Sequence, residues 1–129
     1  NVKLKYLEEW SMKRRKNAAC YNENLKGVDI ITPFKLDYVE SVYHLYVIRV
    51  KKELRLKLQD YLNSNGISTG IHYPIALPML KAYSYLGHTQ KDFPEAIRAS
   101  EEILSLPMYP ELEDEQIIYI SNKVKDFFK

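Results

Sequence analysis

His72-Tyr73-Pro74 is the local run best placed to do chemistry. It closes an extended stretch, Ile67 to Tyr73 (ISTGIHY), and a strand end is where side chains project into a cleft. An imidazole and a phenol there can hydrogen-bond a phosphate or a hydroxyl. Local sequence alone favours a plainer role, a satisfied structural histidine beside a packing tyrosine. His44 lies within the apolar run Tyr43 to Val50 (YHLYVIRV) and reads as a core histidine. His88 follows Gly87 and reads as an exposed loop residue.

Other chemistries lack their residues. Cys20 is the single cysteine, and with three scattered histidines it makes no metal-ligand spacing. There is no P-loop, no dinucleotide-binding glycine pattern and no nucleophile elbow. Lys13-Arg14-Arg15-Lys16 is a basic cluster, but the four residues wrap around a helix and read as a solvated face. The 11 tyrosines are spread along the chain and do not form the aromatic and basic pattern of an RNA-binding sheet.

The elements that would position these residues follow from periodicity. A long helix is expected over 2–26. Leu4, Leu7, Ala18, Tyr21 and Leu25 form its apolar stripe, Ser11 and Arg14 interrupt it, and Gly27 ends it. Asn1 could cap it, and a helix starting at the first residue points to a fragment. Residues 28–41, with Thr32-Pro33, read as loop or short extended segments. Residues 43–50 are β-branched and aromatic and read as an interior strand. Leu54, Leu58, Tyr61 and Leu62 mark a helix over 51–63, closed near Gly66. Residues 67–73 read as a second strand, stopped by Pro74.

Pro78 to Tyr85 reads as a short helix closed by Gly87. Asp92, Pro94 and Glu95 predict a capped helix start running to about Glu102. Ile103 to Met108 reads as a third strand. Glu113 to Phe128 reads as a closing helix with Ile117, Ile118, Ile120, Val124, Phe127 and Phe128 on its apolar side. The expected fold class is α/β (α+β), a small sheet of about three strands covered by helices.

Composition agrees with a folded single domain. The chain has 129 residues, 46% hydrophobic and 28% charged, enough for a real core without a disulfide or metal. A net charge of +2 is too balanced to argue for nucleic acid. A lone thiol suits a reducing cytoplasm, no apolar run reaches the ~18–20 residues that span a bilayer, and no signal-peptide core stands at the start. A cytoplasmic location, no nucleic-acid partner and no membrane partner are expected.

Several blocks, read together, decide more than any one motif. YHLYVIRV at 43–50, GISTGIHYPIAL at 66–77, AYSYLG at 82–87 and DFPEAIRASEEILSLPMYPEL at 92–112 resemble the DegT/DnrJ/EryC1/StrS family of sugar aminotransferases. VKLKYLEEWSMKRRKNAACYNENL at 2–25 and EDEQIIYISNKVKDFF at 113–128 are similar to the C-terminal region of the same family. The resemblance covers nearly the whole chain in colinear order.

The resemblance implies the aspartate aminotransferase fold. It implies pyridoxal phosphate held as a Schiff base on a lysine of a large domain, with an aspartate at the pyridine nitrogen. It implies an amino donor, usually glutamate, a nucleotide-diphosphate keto-sugar as acceptor, and homodimers with active sites near the subunit interface. Residues 1–129 then correspond to the C-terminal small domain, with the cofactor-binding large domain absent. No catalytic, cofactor-binding or metal residue is expected here, and the isolated chain is expected to be inactive and to hold no pyridoxal phosphate. Lys3 and Lys5 are helix-surface lysines rather than the Schiff-base lysine, and Asn1 is not the family's phosphate-binding asparagine.

His72 and Tyr73 match the histidine and tyrosine that line the nucleotide-sugar pocket in relatives, so the resemblance turns them toward substrate binding. Relatives commonly read HYPIPLH where this chain reads HYPIALP. Ala76 replaces a proline and Pro78 stands where a second histidine is common, which removes one ligand contact. Two other readings stay open at this level: a non-catalytic binding or interaction module that reuses the domain, and a sugar dehydratase of the same family.

Overall fold

Residues Tyr46–Arg49 form strand β1, in which burial alternates as a pleat requires: Tyr46 and Ile48 are buried, Val47 and Arg49 half-buried. In the computed structural model, which describes residues 1–129, β1 pairs antiparallel with β2, Ile103–Leu106. The register sets Tyr46 opposite Leu106, Val47 opposite Ser105, Ile48 opposite Leu104 and Arg49 opposite Ile103. Single antiparallel bridges extend this two-stranded sheet on both edges, Ile31 on Arg49 and Gly70 on Ser105.

Four α-helices surround it: α1 Leu7–Asn24, α2 Lys52–Ser64, α3 Pro94–Glu102 and α4 Asp114–Phe127. Short 3-10 turns occupy Lys3–Tyr6, Leu77–Met79, Lys81–Leu86 and Gln90–Asp92. Helix α4 packs on α1 and α2, while α2 also touches α3 and β2. Tyr21 of α1, Tyr46 and Ile48 of β1, Leu58 and Leu62 of α2, Leu104 of β2, and Ile117 and Val124 of α4 are fully buried in one core. Tyr21 stacks on Tyr46 with ring centroids 4.6 Å apart. Neither buried phenol is left unpaired: Tyr21 Oη donates to Pro107 O at 2.9 Å and Tyr46 Oη to Asn22 Oδ1 at 2.6 Å.

The sheet covered by helices is as expected, with several local differences. Residues 67–73 do not form a full strand. Only Gly70 pairs, its N–H and C=O both bonded to Ser105, before the chain turns toward Pro74. His44 is not a core residue. The backbone bends at 44–45 behind Tyr43, which has φ 44°, so β1 starts at Tyr46 and His44 is exposed. Asp92 does not cap α3. It accepts hydrogen bonds from the Thr89 N–H and Oγ1, closing the 3-10 turn, and Pro94 starts α3 without a side-chain cap. Glu95 pairs with Arg98 instead of completing a capping box.

The apolar stripe of the long helix divides. Ala18, Tyr21 and Leu25 are buried, whereas Leu4, in the opening 3-10 turn, and Leu7, at the first position of α1, are exposed. Asn1 does not cap it. Tyr6 stacks on Trp10 at 5.8 Å, leaving Trp10 half-buried and Tyr6 exposed. Helix α4 has the expected inner face except Ile118, which is exposed, and its start is closed by a capping box between Glu113 and Gln116. The expected short helix over 78–85 is realised as 3-10 turns, ended by Gly87 at φ 70°.

Candidate functional site

The bridge at Gly70 positions the site. Gly70 N donates to Ser105 O at 3.1 Å and Ser105 N to Gly70 O at 2.7 Å, which fastens the segment to the edge of β2. Two residues on, the His72 side chain folds back across Gly70, and its Nδ1 lies 2.9 Å from Ser105 Oγ. Strand alternation puts Ser105 on the face of the sheet opposite Leu104 and Leu106. There its hydroxyl is nearly inaccessible, Ser105 being 4% exposed, while His72 itself stays exposed.

Tyr73 stands beside His72, ring centroids 5.6 Å apart and nearly perpendicular at 84°, joined by a cis peptide bond. Tyr73 is 73% exposed and forms one wall of an apolar hollow of about 500 Å³ with Pro74, Ile75, Leu80, Ala99 and Ile103. Ala76 also lines this hollow. Pro78 faces a smaller hollow of about 320 Å³ with Leu77, Tyr83, Leu86 and His88. His88 packs edge-on against Phe93 at 5.0 Å. A fixed imidazole, an exposed phenol and an apolar trough together can grip a ligand with a polar head and a flat apolar part.

The structure brings His72 and Tyr73 together and leaves the other chemistry-bearing residues apart. No group of three or more His, Cys, Asp or Glu side chains could hold a metal ion. No helix is long and apolar enough to cross a membrane. In the basic cluster, Lys13 pairs with Glu9 at 2.7 Å, Arg15 with Glu8 and Glu40, and Lys16 with Asp114 at 2.9 Å. Those cations are neutralised within the chain rather than arrayed for an external polyanion. Ser105 was not singled out by sequence. The available signal was a lone hydroxyl inside the apolar run ILSLPM, which must find a partner once buried.

The sequence profile of the DegT/DnrJ/EryC1/StrS aminotransferase family matches residues 1–125. This chain belongs to that family. It is 39% identical to a pleiotropic regulatory protein of Geobacillus stearothermophilus over 100% of this chain and 35% of the relative. It is 38% identical to dTDP-3-amino-3,6-dideoxy-alpha-D-galactopyranose transaminase of Aneurinibacillus thermoaerophilus, over 91% of this chain and 31% of that enzyme. Among solved structures, DesV of S. venezuelae in complex with a ketimine intermediate superposes with a TM-score of 0.92 at 29% identity. That match covers 99% of this chain and 34% of DesV. The chain thus spans about a third of the length of the relatives it matches. Pyridoxal phosphate is the cofactor of the DegT/DnrJ/EryC1/StrS aminotransferases.

Proposed function

We propose that residues 1–129 act as the C-terminal small domain of a longer, homodimeric, cytoplasmic aminotransferase. It transfers an amino group from glutamate to a nucleotide-diphosphate keto-sugar, and His72 and Tyr73 bind the sugar nucleotide. The reading is supported by family membership across residues 1–125, by a relative named as a dTDP-amino-sugar transaminase, and by the chain's share of about a third of its relatives. The observation that carries the site assignment is the anchoring of His72 on Ser105 beside an exposed Tyr73. A pre-aimed imidazole and phenol bind a diphosphate or sugar oxygen with little entropy lost.

We assign the Schiff-base lysine to the rest of the protein, because the lysines beside the main clefts of this chain are poorly suited to the role. A Schiff-base lysine needs a free, readily neutralised amine. The lysines that line clefts here, Lys13, Lys16 and Lys51, are exposed and bonded to Glu9, Asp114 and Asp29. Those hydrogen bonds and charges hold their ammonium groups above the usual lysine range, the opposite of what aldimine formation needs.

The test is nitrogen transfer by the complete protein. With glutamate and a panel of dTDP- and UDP-linked keto-sugars, one sugar is expected to gain an amino group while 2-oxoglutarate accumulates in equal amount. Transfer to a free keto acid but to no nucleotide-linked sugar would contradict the proposal.

A further inference from the structure

We propose that Ser105 is a positioning residue that fixes the tautomer and direction of the His72 imidazole, so that Nε2–H is presented to an oxygen acceptor of the nucleotide sugar. The inference rests on the reading that His72 contacts that substrate. It starts from the bonding capacity of a buried serine. The Ser105 backbone N–H and C=O are both used by Gly70. Its hydroxyl, on a residue only 4% exposed, has one partner, His72 Nδ1 at 2.9 Å.

If Nδ1 carried the proton in the neutral ring, Ser105 Oγ would accept it and the hydroxyl hydrogen would be left buried without an acceptor, which is unfavourable. If instead the hydroxyl donates to the Nδ1 lone pair, every polar atom of the pair is satisfied. The neutral ring then carries its proton on Nε2, which has no protein partner, on a residue open to solvent.

Gly70 fixes the rest of the geometry. The ring lies so close over its Cα that a Cβ there would stand 2.5 Å from His72 Cε1. The imidazole is therefore held between a glycine floor and a serine anchor. An outward N–H matches a phosphate or hydroxyl oxygen and offers nothing to a donor, so the site selects ligands by their acceptors.

The chain itself allows a direct test. Long-range proton–nitrogen correlation spectra, recorded at a pH where the ring is neutral, report which ring nitrogen of His72 bears hydrogen. The expected result is Nε2–H in the unsubstituted protein, mixed tautomers in Ser105→Ala, and Nε2–H again in Ser105→Thr. Nδ1–H in the unsubstituted protein overturns the proposal without any variant having to fold, and so does a Ser105→Ala spectrum that does not change.

Substrate binding is then measured in the complete enzyme. Ser105→Ala should raise KM for the nucleotide sugar about 3- to 10-fold, the scale of one neutral hydrogen bond, and leave the amino-donor half-reaction unchanged. Adding Ser105→Ala to His72→Ala should raise it no further. A further rise in that background means that Ser105 does not act through His72, which refutes the positioning role. If His72→Ala leaves KM unchanged while the tautomer still depends on Ser105, the substrate reading of His72 has failed and the anchoring has not.

Discussion

Gly70 and His72 exclude any larger residue between them: a Cβ on Gly70 would lie 2.5 Å from His72 Cε1 and 3.3 Å from either ring nitrogen. Gly70→Ala should therefore push the imidazole off Ser105 while the backbone bridge to β2 persists. Affinity for the nucleotide sugar is expected to fall about 5-fold or more, the scale of one displaced hydrogen bond, with the melting temperature lowered by only a few degrees. Titration of the nucleotide sugar alongside a thermal melt checks it. Full affinity in Gly70→Ala would show that the ring position does not matter for binding.

Sequence reasoning singles out His72 and Tyr73 as candidates but not what holds His72. Position and residue type mark a strand end, yet the hydroxyl that anchors the ring is 33 residues away, on a neighbouring strand. Pairing across a sheet depends on register, which local periodicity does not contain. The same limit explains 67–73, where a β-like sequence makes only one bridge, and His44, where a bend behind Tyr43 moved the start of β1. The helices were legible because their apolar spacing is local. Leu4 and Leu7 show where even that signal reports burial without saying against what.

The stacked phenols of Tyr21 and Tyr46 give the fold an alkaline sensitivity. Burial raises the pKa of both above the ordinary value near 10. In the unfolded chain they ionise near that ordinary value, so the stability they contribute is complete below about pH 10. It declines as pH rises further, because only the unfolded state then releases the protons. Tyr46→Phe should cost about 1 kcal/mol at neutral pH through the lost bond to Asn22 and make the alkaline decline shallower. Denaturant unfolding at a series of pH values measures both; an alkaline decline as steep as before would contradict it.

Leu104 sits at the centre of β2, fully buried opposite Ile48. Leu104→Ala should destabilise the chain by about 2–5 kcal/mol, combining lost transfer energy and the cavity left behind. Urea unfolding gives the value directly. A loss under about 1 kcal/mol would mean that the sheet is not the core of this chain.

Leu4, Leu7 and Tyr6 leave apolar surface uncovered at the start of the long helix, and Phe34 and Tyr38 do so in the following loop, at 86% and 84% exposure. Apolar surface of this kind favours association in water. Sedimentation of this chain should show concentration-dependent association. Leu4→Lys combined with Leu7→Lys should weaken it without lowering the melting temperature. A chain that stays monomeric at high concentration would contradict the prediction.

Under the proposed function, His72 serves the sugar nucleotide and not the amino donor. Two half-reactions separate these roles in the complete enzyme carrying His72→Ala. The expected amino-donor half-reaction is close to that of the unsubstituted enzyme. The nucleotide-sugar half-reaction is expected to show KM raised by ~1–3 kcal/mol, or about 5- to 150-fold, in a protein of unchanged melting temperature. Equal slowing of both half-reactions in a fully folded variant would contradict it.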